Sequence, residues 1–262
     1  MTTDKVVVER DGSVATVRIA REHVHNALDA EVLRGLGDEI ATLGEDGTTR
    51  AIVLTGTGPK AFSAGADLDE LAGLDAEAAQ AVMRSGQAVV RSIERSRVPV
   101  IAAVNGLALG GGFELVLACS FAVLAEKASL GLPEAGLGLI PGYGGTQRLA
   151  RVAGPNVARH VMLTGSRIDA ARAYQLGISV VPPVAAEELL PTALELAGRI
   201  AARGPMACRS ILEAVDHGLD VPLDAGLAFE TGLAALAIGG SESSEGVAAF
   251  KEKRAPEFGD PR

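Results

Sequence analysis

The chain has 262 residues, 48% hydrophobic and 22% charged, which excludes general disorder and allows one large domain or two small ones. Net charge is −9 with no basic block, so neither nucleic acid nor an anionic membrane is expected as a partner. Aromatic residues are only 3% and Trp is absent, so the core must be Ala, Val, Leu and Ile, and stacking platforms for single-stranded nucleic acid are excluded.

The N-terminus, Met1 to Lys5, runs straight into Val6-Val7-Val8-Glu9 without a long apolar segment. No signal peptide is expected, and the expected location is cytoplasmic. Residues 6–9 and 14–19 read as strands hinged at Asp11-Gly12, a hairpin dipeptide. Asp29 can cap a helix running to about Leu43, with Leu33, Leu36, Ile40 and Leu43 on one face. A short apolar strand at 51–55 leads into a glycine-rich loop from Gly56 to Asp67. A helix is predicted over 76–95 and a buried strand over 100–104. Next come Asn105-Gly106, the run Gly110-Gly111-Gly112 entering a helix, and a strand at 121–125. Strands alternating with helices indicate an α/β fold with a mostly parallel sheet.

From Gly144 the chain turns helical. Helices are predicted near 185–203, 206–217, 223–238 and 243–253, the last capped by Ser241 or Ser243. The division expected is an α/β core over 1–195 and a helical region over 196–262. Glu114 interrupts the longest apolar stretch, 98–125, so no bilayer span is predicted. Cys119 and Cys208 form no CxxC pair and read as buried thiols in a reducing compartment. The histidines His23, His25, His160 and His217 are scattered without ligand spacing, so no metal site is expected.

Glycine, at 32 residues without a G-X-Y period, must serve turns and close backbone approaches. Three patches concentrate it at strand ends. In Ala64-Gly65-Ala66-Asp67-Leu68 the small residues let a ligand touch the backbone, and Asp67 is at least as good a helix cap as a catalytic group. In Gly110-Gly111-Gly112-Phe113-Glu114 the glycines occupy a helix N-terminus, where N–H groups lack partners and attract negative charge. The third runs from Leu132-Pro133-Glu134-Ala135-Gly136 on to Ile140-Pro141-Gly142-Tyr143-Gly144-Gly145-Thr146-Gln147-Arg148. Two N–H donors from separate loops can form an oxyanion hole, and two glutamates beside it can divide acid and base work. The first-turn dipole should favour ionised Glu114, whereas apolar neighbours should favour protonated Glu134. Taken singly, each feature has a plainer reading: packing for the glycines, a solvated cap for Glu114, a loop ion pair for Glu134. Their combination favours a catalytic one.

The stretches AFSAGADL, NGLALGGGFEL, LPEAGLGLIPGYGGTQRL and EGVAAFKEKRAPEF, in this order, resemble the crotonase (enoyl-CoA hydratase/isomerase) superfamily. The resemblance covers about residues 6–259. It implies a spiral of ββα units, a C-terminal helical region used for trimerisation, and acyl-CoA thioester substrates, with coenzyme A as part of the substrate and no separate cofactor. It places oxyanion donors at the N–H groups of Ala66 and Gly111. Glu114 would position and activate water, and Glu134 would protonate the α-carbon. Ala64, Gly65, Asp67, Leu68, Gly110 and Gly142 would line the substrate, and Lys253 would reach coenzyme A phosphate in a neighbouring subunit. Retention of both glutamates favours a hydratase over an isomerase. Two departures stand out: the segment Arg21 to Ala27 lacks the usual proline after its arginine, and Phe113 replaces a small residue; the sequence GGGFEL that results also occurs in relatives that hydrate carnitine-derived acyl-CoAs. The expected assembly is a homotrimer or a dimer of trimers. The competing non-enzymatic reading is a scaffold or RNA-binding relative, which the acidic charge disfavours.

Overall fold

A computed structural model describes residues 5–259, so the expectation drawn from Met1 to Lys5 lies largely outside the described residues. Strands β1 (Val6–Asp11) and β2 (Val14–Ile19) pair antiparallel about Gly12, whose φ of +56° suits glycine. Helix α1 (Ala30–Glu45) starts where the Asp29 side chain accepts the Val32 N–H at 2.8 Å. It leads to β3 (Ala51–Gly56) and the short β4 (Ala61–Ser63). Next come α2 (Ala76–Glu94), β5 (Val100–Val104), β6 (Leu107–Leu109), α3 (Gly111–Ala118), β7 (Phe121–Leu124) and β8 (Ser129–Gly131). After β8 the chain forms α4 (Gly145–Ala153), α5 (Pro155–Thr164), β9 (Ile168–Asp169), α6 (Ala170–Gln175) and α7 (Leu189–Ala201). Three helices end it: α8 (Pro205–Gly218), α9 (Leu223–Gly239) and α10 (Ser241–Glu252).

The larger sheet has the order β1-β2-β3-β5-β7, parallel from β2 onward. Its central strands are buried on both faces, and the two-residue period sorts their side chains. Ile52, Leu54, Val100, Ala102 and Val104 join Leu36, Ile40 and Phe113 in one core. Ala51, Val53, Ile101 and Ala103 face the other way, against Leu189, Ala193 and Ala197 of α7. Since α7 packs on the sheet along its length, the expected division at 195/196 falls inside it, and the helices outside the sheet begin at Pro205. The expected serine cap of α10 is corrected: Gly240 is its N-cap, without a side-chain bond, and Ser241 is already helical.

A second sheet, β4-β6-β8-β9, was not apparent from the sequence. Its strands are two or three residues long, too short to show periodicity. Strands β4, β6 and β8 run parallel, so their C-terminal ends lie side by side. The three glycine-bearing patches leave from those ends.

Candidate active site

The patches converge on a cleft of about 410 Å³. It is lined by Ala64, Gly65, Ala66, Asp67 and Leu68 after β4, by Gly110, Gly111 and Glu114 at the start of α3, and by Glu134 after β8. Gly142 and Tyr143 close it from the loop before α4, and Met83 of α2 with Leu71, Leu137, Leu139 and Ile140 supplies apolar wall. Every expected site residue except Lys253 therefore meets in one place. Lys253 is exposed at the end of α10, with φ +57°, away from its own chain's cleft.

Glycine at 65 permits a close approach. Its φ is +100°, and a Cβ there would stand 2.7 Å from the Leu109 carbonyl oxygen and 3.3 Å from the Gly111 nitrogen. The loop carrying Ala66 is thus pressed against the start of α3. Ala66 forms a parallel bridge with Leu28, in which Leu28 N–H donates to Gly65 and Asp67 N–H donates to Leu28. That pattern directs the N–H of Ala66 itself to the opposite side, toward the cleft. Gly111 is the first residue of α3, where the N–H has no carbonyl one turn back. Two donors from separate loops therefore flank the cleft floor.

Glu114 is 1% exposed. Its Oε1 accepts the N–H of Tyr143 at 2.8 Å and of Gly145 at 2.6 Å. Gly145 opens α4, so the carboxyl lies at one helix N-terminus while rising from the first turn of another. Both features favour the carboxylate. Burial outweighs them, with repulsion from Glu134 adding to it, and pushes Glu114 up to about 7. The dipole's expected dominance at Glu114 is corrected accordingly. Glu134 opens a 3-10 turn (Glu134–Leu137), and burial raises its pKa as well. Its Oε1 sits so that a Cβ on Gly110 would be 3.1 Å away, and its buried Oε2 has no hydrogen-bond partner. The two carboxyls are distinguished by their partners, two N–H donors on one and an orphaned oxygen on the other.

Asp67 takes the plainer of its two readings. Its Oδ1 caps the turn Leu68–Glu70 through the Asp69 N–H, and its Oδ2 accepts from Arg21 at 3.1 Å. Arg21 also bonds the Ala27 carbonyl at 2.8 Å and pairs with Asp29, so the segment lacking the proline braces the cleft wall. His25 is exposed, and Phe229 lies against His217 outside the cleft, the ring centroids 4.5 Å apart and the planes tilted by 48°. Cys119 donates its thiol to the Leu115 carbonyl at 3.3 Å, as a packed thiol should. Among the described residues no group of three His, Cys, Asp or Glu side chains is arranged to hold a metal ion. Sequence reasoning missed the two N–H groups that hold Glu114 and Gln87 behind them; Arg148 ended the third patch, but its place behind the cleft wall was not read from it. The run of glycines around Tyr143 was the available signal.

Backbone donors at strand ends facing two carboxyls define an α/β enzyme site able to hold a developing oxyanion while protons move beside it. The chain belongs to the enoyl-CoA hydratase/isomerase family, which it matches over residues 9–261. It is 38% identical to the crotonyl-CoA hydratase of Syntrophomonas wolfei, across 98% of this chain and 99% of that protein. The short-chain-enoyl-CoA hydratase of Clostridium acetobutylicum is 36% identical, with 97% of each covered. The crystal structure of enoyl-CoA hydratase from Bacillus anthracis superposes with a TM-score of 0.93 at 40% identity, covering 97% of this chain and 98% of that one. The fold is the one seen in those hydratases.

Proposed function

We propose that this enzyme adds water reversibly to a 2-enoyl-CoA, giving a 3-hydroxyacyl-CoA. The observation that carries the reading is the pair Glu114 and Glu134 on one cleft with the N–H groups of Ala66 and Gly111. The thioester oxygen rests between those two donors. Water adds through oxygen to C3, one of its protons passing to Glu114, while the electron pair of the double bond moves toward the thioester. The resulting enolate-like oxygen is where the donors act, because charge appears there only as water adds. Glu134 gives its proton to C2. One proton then returns from Glu114 to Glu134 through solvent, and the site is restored.

Hydrogen bonding supports this assignment of base and acid. Two N–H groups stabilise charge on Glu114, whereas the unpartnered oxygen of Glu134 favours its neutral, proton-donating form. The apolar wall of Met83, Leu71 and Leu137 suits an acyl chain. We propose further that the chain assembles as a homotrimer or a dimer of trimers, with Lys253 serving a neighbouring subunit's coenzyme A.

The test is incubation with crotonyl-CoA in ¹⁸O-labelled water. Loss of the conjugated enoyl absorbance with one ¹⁸O in the product is expected. Conversion of 3-enoyl-CoA with no hydration of 2-enoyl-CoA at any chain length would make it an isomerase instead.

A further inference from the structure

Behind the cleft wall lies a second cavity of about 450 Å³, and the residues between the two form a connected set. Tyr143 is held on both sides of its backbone. Its N–H donates to Glu114 Oε1, and its carbonyl accepts from the Arg148 guanidinium at 2.9 Å. Arg148 is itself locked: its Nε and remaining terminal nitrogen donate to the two oxygens of Glu94 at 3.1 and 2.8 Å, a bidentate pair. Gly144, at φ +110°, leaves the space in which that guanidinium reaches back. Glu94 comes from the end of α2. One face of that helix carries Met83, Gly86, Gln87, Val90 and Glu94 at helical spacing. Gln87 adds a bond from its side-chain amide to the Gly142 carbonyl at 2.8 Å.

We propose that Arg148, clamped by Glu94, is a positioning residue for Glu114 that acts through the backbone of Tyr143, whose carbonyl it holds on the far side of the Cα from the N–H that reaches Glu114. Neither Arg148 nor Glu94 lines the cleft, so neither touches substrate. The effect of the pair is to fix one of the two N–H groups that hold the carboxylate, and to place a cation behind it. Arg148 is only 14% exposed, so its charge is poorly screened by solvent. The other groups facing Glu114 are few. Glu134 opposes it across the cleft, the Tyr143 phenol flanks it, and α2 brings Glu94 with Arg91 behind, while β4, β6 and β7 carry no charged side chain. Arg148 is therefore the cation that favours ionised Glu114, in agreement with the direction of its influence on that group.

The inference rests on the hydratase reading only for its kinetic part. The variants are Arg148→Gln, Arg148→Lys and Glu94→Gln, with Arg151→Gln as an exposed control on the same helix. Folding is checked by circular dichroism and by retained binding of butyryl-CoA. The kcat for crotonyl-CoA should fall roughly 10–100-fold in Arg148→Gln with a smaller change in KM, because misplacement of one group suffices. The acid limb of its pH profile should move up by about one unit, since removal of a nearby cation disfavours the carboxylate. Arg148→Lys keeps the charge, so it should recover most of the pH profile but not all of the rate. Glu94→Gln gives a milder version of the same change and replaces Arg148→Gln if that variant unfolds. In an E114Q background, Arg148→Gln should cost little more. A pH-independent loss, or full additivity with E114Q, would overturn the proposal. The Glu114 titration, read by ¹³C NMR as the difference between wild type and E114Q, needs no turnover. An upward shift in Arg148→Gln supports the inference even if no enoyl-CoA is hydrated, and an unmoved titration overturns it even if one is.

Discussion

In the proposed mechanism the two glutamates act in unequal ways. Glu114→Gln and Glu134→Gln should each lower kcat by ~10²-fold or more with the fold intact, the usual scale for a lost proton-transfer group. The double variant should lose much less than the product of the two, because both act in one addition. Near-wild-type hydration by either single variant would remove that glutamate from the mechanism. Glu114 also leaves a mark on stability. Its pKa rises from 4.5 to about 7 on folding, so between those values the folded state binds a proton that the unfolded state lacks. Stability should therefore fall as pH rises from 5 to 8, by on the order of 3 kcal/mol at most from this group. Urea titrations across that range should show a shallower decline in Glu114→Gln, and identical slopes would mean that Glu114 titrates normally. The oxyanion donors are tested at Gly111. Gly111→Pro removes one N–H, and kcat should fall ~10²–10³-fold. A Cβ at 111 would lie 3.0 Å from the Tyr143 ring, so Gly111→Ala serves as the steric control and should lose far less. Equal losses in both variants would show that residue 111 only shapes the pocket.

At the scale of elements, the site depends on how α2 bears on the loop before α4. Gly86 faces the Tyr143 ring so closely that any Cβ there overlaps it. Gly86→Ala should improve the intrinsic helix propensity of α2, worth up to about 1 kcal/mol, yet displace Tyr143 and with it the N–H on Glu114. The expected outcome is a drop in kcat of roughly tenfold or more. Unchanged kcat with raised thermal stability would mean the loop repacks freely. Helix α1 illustrates a cap with added duties. Asp29 accepts the Val32 N–H, pairs with Lys5 at 2.8 Å, and lies 3.3 Å from Arg21, which in turn holds Asp67. The wall carrying Ala66 is thereby tied to the start of α1.

At the scale of the whole molecule, the helices after Gly204 are the unfinished part. Neither α8 nor α9 has a single buried residue, although α9 is apolar almost all round. Leu219, Leu223, Leu236 and Ile238 are each about three-quarters exposed. An apolar surface of this kind supports the proposed assembly. Light scattering at micromolar concentration should report a trimer or hexamer, and Leu223→Asp combined with Leu236→Asp should lower the assembly state. A monomeric wild type would sink the assembly proposal. Among the described residues no single helix is long and apolar enough to cross a membrane.

Periodicity and turn chemistry determined much of this molecule on their own. The hairpin at Gly12, the Asp29 cap, the face of α1, and strands β3, β5 and β7 are all local patterns, set by a two- or 3.6-residue period and by residues such as Asp and Gly that suit one backbone geometry. The candidate site residues were legible because glycines and glutamates stood at strand ends in a familiar order. Only the tertiary structure decided the rest. Strands β4, β6 and β8 exist because neighbouring strands complete their hydrogen bonds, not because three residues have a preference of their own. The protonation balance of Glu114 was decided in the same way. A helix dipole can be read along one segment, but the burial that outweighs it comes from packing α3 against segments remote in sequence, and so does the Arg148 cation behind the cleft wall.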